Sequence, residues 1–274
     1  MTSKLYLCSF ASSNLLITRN RFEFQAKKMN VYDHIYLYDE TNLNSKYLNR
    51  FSKLFKLRGF GYFSWKPEII LQTLSKINDG DILQYTDMGC HLNYKGINRL
   101  KEYVAKTSVS ENGLLVFQDK SQLEYQWTKS SVFHFFSVES DDLITKSNQI
   151  IATVFFIKKC SESIKIIEHW SSLAYSNFEL FEDSNCQVSE IKEFKEHRYD
   201  QSVFSLLSKI YGVTKLSSDE VWQQDWKNLA NFPIHAKRDK EFMNKFSLKK
   251  IAKAYLPYFV INIYLSIMYR ILKN

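Results

Sequence analysis

Glycine and proline are scarce in this chain, 7 and 3 of 274 residues. That scarcity excludes collagen-like repeats, low-complexity tracts and Pro/Gly-rich linkers between separate domains. Cysteine is also thin: Cys8, Cys90, Cys160 and Cys186 are scattered, with no CxxC pair and no histidine at zinc-finger spacing. They read as reduced thiols of a cytoplasmic protein and exclude a disulfide framework or a structural zinc site. No period of 20 to 50 residues marks a solenoid or a propeller. No secretory leader is expected, because Lys4 interrupts an N-terminus whose "KLYLCSF" alternates like a strand.

Apolar and aromatic residues are plentiful, at 45% and 16%, which excludes global disorder. The length suits one large α/β domain, or a domain with an appendage. The formal charge is +8, and +7 of it falls from Lys237 onward, so the body carries only +1. A nearly neutral body, with no stacking motif among the tail lysines, argues against nucleic acid as a partner.

Strand-like and helix-like segments alternate through the first half. "KLYLCSF" (Lys4 to Phe10) and "HIYLYDE" (His34 to Glu40) are β-type runs, separated by a polar stretch long enough for a helix. Pro67 sits in the first turn of "PEIILQTLSKI", whose Ile70, Leu71, Leu74 and Ile77 share a helical face. "DGD" turns into the strand "ILQYTD"; "KGINRLKEYVAK" is the next helix and "GLLVFQ" the next strand. Farther on, "QIIATVFFIKK" (Gln149 to Lys159) reads as a buried strand. "DQSVFSLLSKIYG" (Asp200 to Gly212) reads as a helix closed by its glycine. This rhythm predicts a mixed, mostly parallel sheet flanked by helices, with ligands beyond the carboxyl ends of its strands.

Four segments could carry chemistry, each with a plainer structural alternative. In "RGFGYFSWKPE", Tyr62, Phe63, Trp65 and Lys66 could stack on a base or sugar and place a cation near phosphate, or the aromatics could simply pack under the loop. Asp87, ending a strand in "TDMGC", could hold a divalent cation or form an Asx turn before Gly89. "EHRYDQS" places His197, Arg198 and Asp200 ahead of an apolar helix, as an anion site or as a capped helix start. "YQWTKSSVFHFF" offers Trp127 as a sugar-stacking ring, with Thr128 as a helix cap in the structural alternative.

Taken in order, "GFGYFSWKPEIILQTL", "GDILQYTDMGC", "YQWTKSSVF" and "EHRYDQSVFSLL" resemble bacterial GT-A-fold glycosyltransferases that build surface polysaccharide such as capsule or O-antigen. The resemblance spans roughly Lys4 to Gly212, and "WKP", "DMGC" and "HRYDQS" are its most specific parts. It implies a GT-A-like, Rossmann-like catalytic domain over residues 1–235. It also implies transfer of a hexose from a nucleotide sugar, a UDP-sugar, to a lipid-linked glycan. Asp200 and Asp87 are the implied catalytic carboxylates, with Asp200 as general base. Tyr62, Trp65, Lys66, Asp87 and Arg198 are the implied donor-binding residues, and Trp127 the acceptor-binding one. Asp87 matches the first carboxylate of an Asp-x-Asp metal motif, but Gly89 stands at the second. Divalent Mn or Mg held by Asp87 and His197 is therefore one reading, and neutralisation of the donor diphosphate by Lys66 and Arg198 is the other. A non-catalytic glycan- or nucleotide-binding protein of the same fold is the alternative to an enzyme.

Residues 236–274 are Lys-rich and then apolar, and the uncharged run Ala254 to Tyr269 is shorter than the ~20 residues that cross a bilayer. A basic stretch joined to an aromatic-rich apolar segment is expected to lie on the inner face of the cell membrane, where a lipid-linked acceptor is found. Docking of that segment on the protein's own core is the competing reading.

Overall fold

Residues 3–183 and 188–240, with positions 257, 260 and 263, are described by a computed structural model. Its centre is a six-stranded sheet in the order β2-β1-β3-β6-β5-β7. The strands are β1 (Leu5–Phe10), β2 (His34–Tyr38), β3 (Ile82–Thr86), β5 (Leu114–Leu123), β6 (Asn148–Lys158) and β7 (Thr214–Ser217). β1 pairs in parallel with β2 and β3, and β5 with β7. β6 lies antiparallel to both β3 and β5, so it alone runs against the rest. The expected α/β class with a mixed, mainly parallel sheet is what the chain adopts.

Both faces of this sheet are buried, and the side-chain alternation of each strand sorts residues between two cores. In β1, Tyr6, Cys8 and Phe10 join one apolar cluster, with Ile69, Ile70, Trp170, Phe204 and Leu207. Those partners come from the helices Trp65–Leu74, Ser161–Ser176 and Asp200–Ile210. Leu5 and Leu7 join the other cluster, with Phe22, Leu100 and Tyr103 from the helices Leu16–Met29 and Ile97–Ser108. Polar residues inside the sheet are paired: Gln84 accepts from Tyr32 Oη at 2.9 Å and donates to Thr86 Oγ1 at 2.8 Å.

Helix boundaries follow the sequence signals closely. Pro67 occupies the third position of its helix, where an intrahelical donor is not required. Gly212, at φ 68°, closes Asp200–Ile210, with its N–H bonded to Lys209 O at 3.1 Å. Thr128 does not cap a helix start; it follows the short helix Glu124–Trp127, its hydroxyl donates to Glu124 Oε1 at 2.6 Å, and Lys129 precedes the next helix, Ser130–Phe135.

The chain end that leads into the basic tail is tied to the body as a strap. β4 (His91–Leu92) and β8 (Ile234–His235) form a small antiparallel pair. Beyond it, Ala236 N–H donates to Val221 O at 2.8 Å and Asp239 N–H to Gly89 O at 2.9 Å. The Arg21 guanidinium binds the carbonyls of Met88, Cys90 and Asp239 at 3.1, 2.8 and 3.0 Å, joining strap and β3 turn. The domain boundary expected at 235/236 thus falls within the strap. The expected amphipathic segment from Ala254 to Tyr269 lies outside the described residues except at three positions. Among the described residues no helix is long and apolar enough to cross a membrane.

Gly96 shows how closely the strap approaches. A Cβ there would lie 2.2 Å from the backbone of Phe232 and Pro233, a distance only backbone movement could relieve. Gly96→Ala is expected to destabilise the protein by roughly 1–3 kcal/mol, the usual cost of overpacking, read from the urea midpoint.

Candidate active site

β3 stops at Thr86, and the next residue turns out of the sheet. Asp87 N–H still donates to Thr153 O at 2.8 Å, and Cys90 N–H closes the turn onto Asp87 O at 2.9 Å. The Asp87 carboxylate, 28% exposed, faces Lys66 and takes the Tyr85 hydroxyl at 2.5 Å. Strand alternation puts Tyr85 and Asp87 on the same face, a signal the sequence carried and that residue-by-residue reading passed over.

Lys66 is the second residue of its helix, and its side chain is only 3% exposed. The ammonium lies 2.5 Å from Asp200 Oδ2, 3.5 Å from Asp87 Oδ1 and 2.9 Å from Ala152 O. Asp200 opens the helix Asp200–Ile210, and its carboxylate turns to Lys66 instead of capping the helix. "WKP", "DMGC" and "HRYDQS", far apart in sequence, thus converge on one buried cluster. Two carboxylates share one ammonium, and Lys66 and Asp200 each sit in the first turn of a helix.

Burial pushes the Asp200 carboxyl up to about 6, against the pull of the nearby Lys66. For Lys66, burial works against the charged form, but Asp200 and Asp87 outweigh it and its pKa is raised. Near neutral pH the pair is therefore ionised, and acid converts Asp200 first. Burial and the Asp87 charge hold the Tyr85 hydroxyl well above its ordinary value, so it stays a donor.

The segments leading into both helices are strained. Gly59, Phe60, Gly61, Tyr62 and Phe63 all have positive φ, a left-handed turn that costs non-glycine residues about 1–2 kcal/mol each. Tyr199, just before Asp200, has φ 51° and ψ −124°. Each strained piece is held by the other. Tyr62 stacks on Tyr199 at 5.1 Å, and Arg58 donates to Tyr199 Oη at 2.9 Å. Trp65 Nε1 ties the turn to Gly59 O at 2.9 Å. Strain braced in this way belongs with functional sites.

Around the cluster stand further cations. Arg198 lies 3.9 Å over the Trp127 ring, and burial followed by Arg238 lowers its pKa. Arg198 Nε and Trp127 Nε1 are buried and have no hydrogen-bond partner among the described residues. Lys240 Nζ sits 5.9 Å from the Phe63 ring, on which Lys66 also rests at 5.6 Å. Arg238 and Lys240 escaped the sequence reading because only the strap, a long-range feature, brings them here.

Two expected site residues are placed elsewhere. Trp65 is a core residue: its ring stacks on Phe10 at 4.1 Å and its N–H is spent on Gly59, which leaves no face for a donor. His197 is buried with both ring nitrogens engaged, Nε2 with Leu180 O at 2.9 Å and Nδ1 with Lys129 N–H at 3.5 Å. Burial pulls its pKa down to about 3, so it is a neutral structural imidazole with no lone pair turned toward Asp87. A Cβ at Gly89 would lie 3.2 Å from Arg238 Cα, so the strap occupies the place of a second carboxylate. Among the described residues no group of three His, Cys, Asp or Glu side chains could hold a metal ion. With an ammonium already between the two carboxylates, the donor set does not fit a divalent ion.

No protein-family model and no curated protein matches the chain. Solved structures do show likeness at low identity. A glycosyltransferase involved in glycosylation of the major capsid of PBCV-1 aligns at 12% identity over 92% of this chain and 97% of that one, with a TM-score of 0.49. The galactosyltransferase LgtC, in complex with donor and acceptor sugar analogues, aligns at 12% identity over 84% and 86%, with a TM-score of 0.44. GlyE of Streptococcus pneumoniae TIGR4, another glycosyltransferase, aligns at 14% over 97% of this chain and 64% of that one, with a TM-score of 0.43.

Lys66→Met would leave Asp200 buried without its counter-charge, and losing one partner of a buried pair costs about 3–5 kcal/mol. The cost is expected to appear as pH rises above about 6 and to keep growing with pH, because without Lys66 the Asp200 carboxyl holds its proton to higher pH, and to vanish as acid neutralises it. Chemical denaturation at pH 5 and pH 8 measures that difference.

Proposed function

We propose that the chain is a glycosyltransferase that moves a hexose from a nucleotide-sugar donor, a UDP-sugar, to a lipid-linked glycan in bacterial surface-polysaccharide synthesis. The observation that carries this reading is the buried Asp87–Lys66–Asp200 cluster at the carboxyl edge of β3, with the strap residues Arg238 and Lys240 against Gly89 in the turn that follows. In an open α/β sheet that edge is where nucleotides bind. A sheet-edge carboxylate suits ribose or sugar hydroxyls, and a ring of cations suits a diphosphate.

Asp200 takes the role of general base. It removes the proton of the acceptor hydroxyl as that oxygen bonds to the anomeric carbon, and the carbon–oxygen bond to the diphosphate breaks with its electron pair on the diphosphate. A carboxylate raised to about 6 is ionised at neutral pH yet basic enough to accept the proton. Lys66, Arg198, Arg238 and Lys240 neutralise the leaving group, so no divalent ion is required. Tyr62 and Trp127 offer aromatic surface, Tyr62 to the donor and Trp127 to the acceptor.

Nucleotide release from a panel of nucleotide sugars, with and without lipid-linked acceptor, tests the assignment. Asp200→Asn and Asp87→Asn are expected to lower kcat/KM by at least ~100-fold, with folding retained. Because the base acts only when ionised, kcat/KM should rise with pH through a value near 6 and fall away below it. The midpoint belongs to the whole cluster and not to one residue. Activity should survive excess chelator; its complete loss there, restored by Mn or Mg, would refute the metal-free mechanism.

The same reading puts the chain on the inner face of the cell membrane through its basic, apolar tail. Truncation after Lys240, which keeps the strap, is expected to abolish co-flotation with anionic liposomes while sparing turnover of a soluble acceptor analogue. Undiminished flotation of the truncated protein would place the membrane contact elsewhere.

A further inference from the structure

A second buried charge pair lies in the core that carries the site. Glu124 is fully buried and accepts four hydrogen bonds. Oε1 takes Thr128 Oγ1 at 2.6 Å and Gln149 Nε2 at 3.1 Å; Oε2 takes Ser205 Oγ at 2.5 Å and the Lys209 ammonium. Such a carboxylate could have been paired by Lys209 alone. Instead it spends one lone pair on Gln149, and a directed chain of amides starts there.

An ionised carboxylate only accepts, so Gln149 must turn its NH2 to Glu124. That leaves Gln149 Oε1 for Gln201, whose Nε2 donates to it at 2.7 Å. Gln201 Oε1 is then free to accept, and it takes Ala152 N–H at 3.3 Å. The carbonyl of the same Ala152 receives Lys66 Nζ at 2.9 Å. Ala152 is available because the β5–β6 register slips between Leu115–Phe156 and Phe117–Ile151, and Ala152 falls in the gap. Each member is buried, and the Trp127 carbonyl, which Gln149 Nε2 also reaches at 3.3 Å, favours the same orientation of that amide.

We propose that Gln149 and Gln201 are positioning residues, through which the buried Glu124–Lys209 pair fixes the Lys66 ammonium between Asp87 and Asp200. Neither glutamine touches substrate; both act through the Ala152 peptide. Reversal of either amide would set a carbonyl against Glu124 and the Trp127 carbonyl or an NH2 against the Ala152 N–H, so the carboxylate and these two backbone groups together select one arrangement. The proposal deepens the catalytic reading of this site and rests on it only for its kinetic consequence.

The test is a carbon-13 carboxyl NMR titration of Asp200 in the full chain, comparing wild type with Gln201→Met and with the charge-neutral double variant Glu124→Gln/Lys209→Met. Groups facing Asp200 are Lys66 and Asp87, with Tyr85 beside Asp87, and all are retained. With the relay broken, Lys66 is less firmly held against Asp200, and the Asp200 midpoint should rise by about half a pH unit or more. Where turnover is measured, kcat should fall roughly tenfold or more, since the base and the ammonium assigned to the leaving group are both less firmly placed. A folded variant that titrates at the wild-type midpoint overturns the proposal. If Gln201→Met does not fold, the double variant decides. Because titration needs no turnover, a shifted midpoint supports the relay even where no sugar is transferred. Unshifted midpoints refute it even where transfer is found.

Discussion

One ammonium group, Lys66 Nζ, is the constraint on which the rest of the site depends. Burying a charge costs several kcal/mol per ion after relaxation, and only close partners with good geometry offset it. Lys66 has three: Asp200, Asp87 and the Ala152 carbonyl. Each comes from a different element, so the cation can exist only where β3, β6 and two helix starts have already met. It works in the other direction as well. Without the ammonium, Asp200 at a helix start and Asp87 at a strand end would be like charges facing each other in a largely water-free space.

Backbone strain is organised around the same point. The left-handed turn Gly59–Phe63 ends three residues before Lys66, and Tyr199 directly precedes Asp200. A relaxed right-handed approach would lead each helix in from another direction and carry its charged residue away from the cluster. The Tyr62–Tyr199 stack and the Arg58 bond to Tyr199 join the two strained pieces, so neither can relax without breaking contacts of the other. The strain cost is thereby exchanged for fixed positions of the two groups that must lie 2.5 Å apart.

Much of this architecture was legible in the sequence. Period-two runs gave the strands, Pro67 and Gly212 marked helix ends, and "WKP", "DMGC" and "HRYDQS" each delivered one member of the charged cluster. What escaped was long-range or orientational. Trp65 looked like a ligand-facing ring because it adjoins Lys66, but neighbours on a helix point about 100° apart, and this one points into the core. The metal-ligand role that the resemblance implies for His197 fails on surroundings, because burial and two hydrogen bonds consume the imidazole. Gln149 and Gln201 carried no local signal at all, since an amide in a relay has the same letter as an amide on a surface.

Gly89 joins these strands of argument. At that place a second acidic residue would build an ordinary two-carboxylate cation site. The missing side chain leaves room for the strap, whose Asp239 N–H binds the Gly89 carbonyl while the Arg238 backbone and Lys240 Cε lie within 3.3 Å of where a Cβ would stand. The absence of a side chain at residue 89 and the close approach of the strap are then one structural feature, not two. A negatively charged ligand meeting this turn would find its counter-charges fixed by a protein backbone instead of recruited from solution. The glycine is the residue that makes this approach of the strap sterically possible.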